Sequence, residues 1–153
     1  VELARSARSR VLREQSGAGR ELLVAASVGP YGAVLHDGSE YRGDYGLDVD
    51  ALVDFHRARF TVLAESGADL LACETIPSRL EAAALVRLLV ERPDAKAWVT
   101  FSCRDGRHTS AGDSIAECAR CARTNEDPRS DAVGSNDRPI LRLHAYAPAA
   151  PSG

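Results

Sequence analysis

Leu22-Leu23-Val24-Ala25-Ala26-Ser27-Val28-Gly29-Pro30-Tyr31-Gly32-Ala33 decides how this chain folds. Its first five residues are apolar without alternation. That pattern marks a strand covered on both faces, as in parallel sheets. Gly29-Pro30 stops the strand. A polar, aromatic loop follows through Asp37-Gly38-Ser39-Glu40-Tyr41-Arg42-Gly43-Asp44-Tyr45. Loops that leave buried strands are where binding residues collect.

Working outward, the same grammar repeats. Residues 1–15 read as a helix with Leu3, Ala7, Val11 and Leu12 as its apolar stripe. Residues 22–27 are the first strand. Asp48 or Asp50 caps a helix over residues 50–66, and Gly67 suits a left-handed end. Residues 69–73 form a second strand, which exits into Glu74-Thr75-Ile76-Pro77. Ser78-x-x-Glu81 is a capping box for a helix over 78–91. Residues 96–102 form a third strand, followed by a weaker helix over 113–123. Strands alternating with helices predict an α/β fold with a parallel sheet. An open doubly wound sheet and a (β/α)8 barrel both fit. No glycine-rich phosphate loop follows any strand, which disfavours the nucleotide-binding versions. Val24, Leu71 and Val99 are expected on the inner face of such a sheet.

The chain of 153 residues suits one domain. It divides into a barrel-like part, 1–123, and a polar segment, 124–153, expected to be irregular and poorly ordered. Ile140-Leu141-Arg142-Leu143 is its one candidate strand. At 44% hydrophobic and 27% charged, the chain can bury a core. The net charge is -3, with arginines interleaved among carboxylates, so no nucleic-acid footprint is expected. No apolar run is long enough for a membrane helix. No secretory signal is evident at Val1, so the cytoplasm is the expected location. The chain has no methionine, which points to a fragment.

Glu74 is the leading candidate site residue. It stands at the C-terminal end of a strand, where α/β folds place ligands, and can hold an ammonium or act as a base. Its bland alternative is a helix-capping glutamate. Ser27 and Ser102 occupy the matching ends of their strands and can donate to a carboxylate, or be satisfied by their own turns. Tyr31, Tyr41 and Tyr45 can wall a pocket or pack on its rim. His56 is expected to pack, whereas His36 and His108 lie in exit loops; with His144 they form no i,i+4 pair. Cys118-x-x-Cys121 has metal-ligand spacing but no second pair beside it. Cys73 and Cys103 complete the cysteines.

Three blocks, taken in order, resemble the homocysteine S-methyltransferase family. They are 27–33 with 37–45, then Ala68-Asp69-Leu70-Leu71-Ala72-Cys73-Glu74-Thr75-Ile76-Pro77, then Trp98-Val99-Thr100-Phe101-Ser102. Asp105-Gly106, Thr109-Ser110 and Gly112 are similar to the family's next exit loop. The resemblance covers roughly residues 1–120. It implies about the third to fifth strands, with their helices, of a zinc-dependent (β/α)8 TIM barrel. Such an enzyme passes a methyl group from a sulfonium, S-methylmethionine or S-adenosylmethionine, to homocysteine and gives methionine. It implies that Glu74 binds the homocysteine amino group. The family's three zinc cysteines have no match. Asp137, in Val133-Gly134-Ser135-Asn136-Asp137, stands near one ligand position. Zinc is therefore expected to be absent from this chain, and no residue is assigned a catalytic role. The expected partners are small molecules, not nucleic acid or membrane. The competing expectation is a non-catalytic remnant that binds an amino acid or a partner chain.

Overall fold

The computed structural model describes residues 1–14, 21–124 and 141–146. The elements run α1 (Glu2–Glu14), β1 (Ala25–Val28), the short α2 (Gly32–Leu35), a 3-10 turn (Ser39–Tyr41), α3 (Val49–Ala64), β2 (Leu70–Ile76), α4 (Arg79–Val90), β3 (Ala97–Ser102), α5 (Ile115–Thr124) and β4 (Leu141–Tyr146). The four strands lie in the order β1-β2-β3-β4, and every neighbouring pair is parallel.

β1 starts later than the apolar run suggests. Asp69 is the reason: its carboxylate accepts the Val24 N–H at 2.6 Å, and its own N–H donates to the Val24 carbonyl at 2.9 Å. The ladder begins only beyond that clasp, with Ala25 opposite Leu70. Arg8 pairs with the same carboxylate and so ties α1 to the sheet. The apolar stripe expected on α1 is not buried. No residue of that helix is, and Leu3 is 87% exposed.

α3 opens on Asp48, whose Oδ1 accepts the Ala51 N–H at 2.9 Å. Gly67, at φ 76, supplies the left-handed turn behind it without a Cβ clash. α4 is apolar nearly all round, with Ala82, Ala84, Leu85, Leu88 and Leu89 buried. A helix of that kind is enclosed on several sides. It packs between α3 and α5 and against β2, while α3 also packs on β1 and β2.

The described helices cover a single face of the sheet. In β1 burial alternates from exposed Ala25 to buried Ala26, then from exposed Ser27 to buried Val28. In β3, Ala97, Val99 and Phe101 are buried and Trp98, Thr100 and Ser102 half-buried. This corrects two expectations. The first strand is not covered on both faces. Val24, Leu71 and Val99 lie on the buried side, and the open face carries Ala25, Ser27, Trp98 and Thr100. Side-chain parity is the cause, because a shift of one residue exchanges the faces of a strand. A doubly wound sheet has helices on both faces. Consecutive parallel strands with helices on one side are the wall of a barrel.

The segment expected to be irregular contains β4, one residue beyond the candidate strand's start. Leu141, Leu143 and Ala145 register with Ala97, Val99 and Phe101. The rest of 125–153, including Asp137, lies outside the described residues.

Candidate functional site

The parallel direction of β1, β2 and β3 brings their C-terminal ends to one edge of the sheet. β1 ends at Val28, opposite Cys73, so Glu74 follows one residue beyond the last paired position, on the same face as Ser27. The Ser27 hydroxyl donates to Glu74 Oε1. Glu74 therefore does not point into the helix layer, and no ion pair joins it to an arginine among the described residues. It is half-buried, with an exposed Thr75 beside it.

Ser102 ends β3 at the same edge but makes a different contact. Its hydroxyl accepts from the Ser110 hydroxyl at 3.0 Å, and its carbonyl accepts the Ser110 N–H at 2.8 Å. It is thus satisfied by its own exit loop, and no hydrogen bond joins it to Glu74 among the described residues. The three exit loops meet around Pro77. Ala111 N–H donates to the Pro77 carbonyl at 2.9 Å. Gly43 sits so tightly there that a Cβ would stand 3.0 Å from the Ala111 Cβ and 3.1 Å from the Pro77 Cβ. The Asp113 carboxylate accepts the Arg79 N–H at 2.7 Å and closes the third loop onto the start of α4.

The loop after β1 is held by Glu81. The expected capping box forms by half: Ser78 Oγ accepts the Glu81 N–H at 3.2 Å. The Glu81 carboxylate goes elsewhere. Its Oε1 meets His56 Nε2 at 2.8 Å and accepts the Tyr31 N–H. Both His56 and Glu81 are fully buried. Tyr45 lies against the same carboxylate; burial raises its hydroxyl pKa, and the Glu81 charge raises it further. Tyr31 stacks edge-on against Tyr45 and Phe55, with centroids 5.1 and 4.8 Å apart. Arg59 donates to the Gly29 carbonyl at 2.7 Å. Tyr31 and Tyr45 therefore pack the loop against α3, and Tyr41, 70% exposed, is the tyrosine left outside.

His56 packs as expected, with a hydrogen bond that the sequence pattern did not announce. His36 is exposed at φ 56. His108 is held by Asp105, its Nδ1 lying 2.9 Å from Oδ2. His144 stands opposite Thr100 in the register of β4.

The homocysteine S-methyltransferase family model matches residues 1–141. The chain belongs to that family. It is 52% identical over 121 residues to homocysteine S-methyltransferase YbgG of Bacillus subtilis, which covers 79% of this chain and 38% of the relative. It is 51% identical over 123 residues to selenocysteine Se-methyltransferase of Brassica oleracea, covering 78% of this chain and 35% of the relative. The metallated crystal structure of homocysteine methyltransferase MmuM from Escherichia coli superposes with a TM-score of 0.74 at 53% identity. That match covers 78% of this chain and 41% of MmuM. The chain therefore spans about two fifths of the length of the relatives it matches, as a partial (β/α)8 barrel.

The described residues do not fit zinc. No group of three or more His, Cys, Asp or Glu side chains among them is arranged to hold a metal ion. Cys73 points into the helix layer, where burial pushes its thiol up to about 12, aided by Glu74 and Glu81. Burial likewise pushes Cys118 up to about 12, and the Asp113 charge adds to it. A buried thiol of this kind is inert rather than reactive. Cys118 and Cys121 are packed into the core at α5.

Two features escaped the sequence reading. Glu81 matched a capping pattern so well that its carboxylate had no other role to suggest. The register of β2 on β3 also slips between Cys73 and Ile76, with Thr75 at φ 63, and no glycine or proline marks the place in the sequence.

Proposed function

We propose that this chain is the acceptor-holding part of a homocysteine S-methyltransferase, and that Glu74 binds the substrate ammonium. The supporting observation is the Glu74 carboxylate at the strand ends, oriented by Ser27. A carboxylate fixed through one oxygen keeps the other for an ammonium, in a charge-assisted hydrogen bond. Ser102 is the weaker candidate for the substrate carboxylate, because its hydroxyl already accepts from Ser110.

In the whole enzyme the methyl carbon leaves a sulfonium sulfur and bonds to the homocysteine sulfur. The carbon–sulfur bond of the donor breaks, and the acceptor thiol gives up its proton to solvent. A sulfonium sulfur departs as a neutral thioether, so the protein's task is alignment. Zinc, which the family resemblance implies, would supply the thiolate when bound, and no group of three or more His, Cys, Asp or Glu side chains among the described residues is arranged to hold it. This favours a second reading, in which the chain binds an amino acid without turning it over. Thiol chemistry of this kind suits a reducing compartment, so the reading carries a cytoplasmic location. No helix among the described residues is long and apolar enough to cross a membrane.

The test is calorimetric titration of the 153-residue chain with L-homocysteine. Binding is expected, and Glu74→Gln should weaken it about tenfold or more, the effect of one charged hydrogen bond. N-acetylhomocysteine, which lacks the ammonium, should not bind. Equal binding of the acetylated compound overturns the role of Glu74. Methionine formation from homocysteine and S-methylmethionine is expected to be nil for the chain alone, and turnover would overturn the second reading.

A further inference from the structure

β2 and β3 fall out of step where β2 reaches the site. Cys73 pairs with Val99 and Ile76 with Phe101, so three residue steps on β2 face two on β3. One residue is therefore extra, as in a β-bulge, and such bulges re-aim side chains near sites. The extra residue leaves two successive side chains, Glu74 and Thr75, outside the helix layer before buried Ile76 returns to it. Thr75 takes φ 63, a left-handed conformation that a β-branched residue resists. Its N–H has left the ladder and donates instead to Thr100 Oγ1 at 3.0 Å. Thr100 is the residue of β3 between Val99 and Phe101, directly across from the bulge.

The bulge adjoins the place where Glu74 reaches back to Ser27. Ser27 registers with Ala72. On a regular strand Glu74 would stand beside Gly29, one pleat beyond Ser27. Its carboxylate nevertheless meets the Ser27 hydroxyl.

We infer that Thr75 and Thr100 are positioning residues for Glu74: the left-handed turn at Thr75 swings the carboxylate back over Ser27, and the Thr100 hydroxyl holds that turn. The inference rests on the amino-acid-binding reading above for its use, but not for its geometry. Threonine at 100 supplies both the β-branched shape of a strand residue and an acceptor for a stray N–H. Valine has the shape alone, and serine has the acceptor alone.

The experiment compares the wild-type chain with Thr100→Val, Thr100→Ala, Thr100→Ser and Thr75→Gly. Nuclear magnetic resonance reads three quantities without ligand: exchange of the Thr75 amide, its intraresidue Hα–HN Overhauser effect, and the Ser27–Glu74 side-chain contact. Calorimetry reads L-homocysteine affinity. Thr100→Val and Thr100→Ala should speed Thr75 exchange, abolish the Ser27–Glu74 contact and weaken homocysteine about tenfold, as loss of one hydrogen bond implies. The two variants back each other if one does not fold. Thr100→Ser should retain all four readings. Thr75→Gly should retain the affinity, since glycine accepts the turn freely. Wild-type affinity and an intact Ser27–Glu74 contact in a folded Thr100→Val or Thr100→Ala protein would overturn the inference. So would a loss in Thr75→Gly as large as that in Glu74→Gln, which would make the Thr75 hydroxyl a direct contact. If the wild-type chain binds no homocysteine, the proposed function fails, and the three ligand-free readings decide the positioning role by themselves.

Discussion

Cys73 and Glu74 are neighbours in sequence and opposites in environment. Cys73 is sealed in the core, and Glu74 stands at the open edge of the sheet. A strand does this by alternating its faces. The buried thiol has a consequence for stability against pH. Its pKa is raised from 9.0 to about 12, as is that of Cys118. Tyr45 shifts in the same direction. All three groups are neutral when protonated, so the folded state favours their protonated form. The stability they confer is complete below pH 9 and is lost as pH rises from there toward 12. Each pKa unit is worth about 1.4 kcal/mol, so one thiol contributes up to roughly 4 kcal/mol across that window. Urea unfolding between pH 7 and 11 should show a stability that falls steadily above pH 9. Cys73→Ala should flatten that fall, although it lowers stability at pH 7 by leaving a small cavity. An unchanged alkaline slope in Cys73→Ala would mean that the thiol is not the group that titrates.

At the scale of elements, the loop after β1 is joined to α3 and α4 by one buried carboxylate. Glu81 accepts from Tyr31, meets His56 and lies against Tyr45. Arg57–Glu91, Arg87–Asp50 and Arg92–Glu65 also link α3 and its C-terminal end to α4 and the turn after it, but these pairs are solvent-exposed and worth little. Breaking a buried pair is different, because it strands the surviving polar group. Glu81→Ala should cost about 3–5 kcal/mol in urea unfolding. Glu81→Gln should cost markedly less, since an amide oxygen can still accept from Tyr31 N–H. Equal losses in the two variants would show that the carboxylate's charge, not its acceptor role, holds the loop. None of this was legible in Ser78-x-x-Glu81, which predicts a carboxylate folded back on its own helix start. The helix itself was legible, as were α3 with its Asp48 cap and the left-handed Gly67. These depend on spacing within one segment. The destination of the Glu81 side chain depends on His56, 25 residues away, and no local pattern encodes that. The bulge at Thr75 was hidden for the same reason, since it exists only relative to β3. Glu74 and Ser27 were legible because the end of a strand is a local property.

At the scale of the molecule, the described residues form a sheet with one face covered by helices. Its apolar run at Leu22–Ala26 predicts a strand covered on both faces, yet β1 alternates between exposed and buried residues. The described chain supplies the helices for one side, and the other side stays open. Leu23 is 55% exposed and Ala25 exposed, both on that open side of β1. β1 has β2 as its sole strand neighbour among the described residues, and β4 has β3. Each outer strand therefore has one edge without a strand neighbour among the described residues. Such edges recruit further strands, and a closed barrel is the arrangement that abolishes them. α1 adds to the exposure, with Leu3 87% and Leu12 50% accessible. The purified 153-residue chain is therefore expected to self-associate, or to bind a dye for exposed apolar surface and melt broadly. Sedimentation velocity at several concentrations, with a thermal melt, measures both. Leu23→Lys places a charge just before β1, at a position already 55% exposed. It should reduce association while leaving the melting temperature within a few degrees, because surface changes of this type alter stability by about 0.5 kcal/mol or less. Glu74→Gln, on the same face but at the strand ends, should leave association as it was. A monodisperse monomer with a sharp cooperative melt would show that the open face needs no cover, and would count against the barrel wall as the reason for its composition.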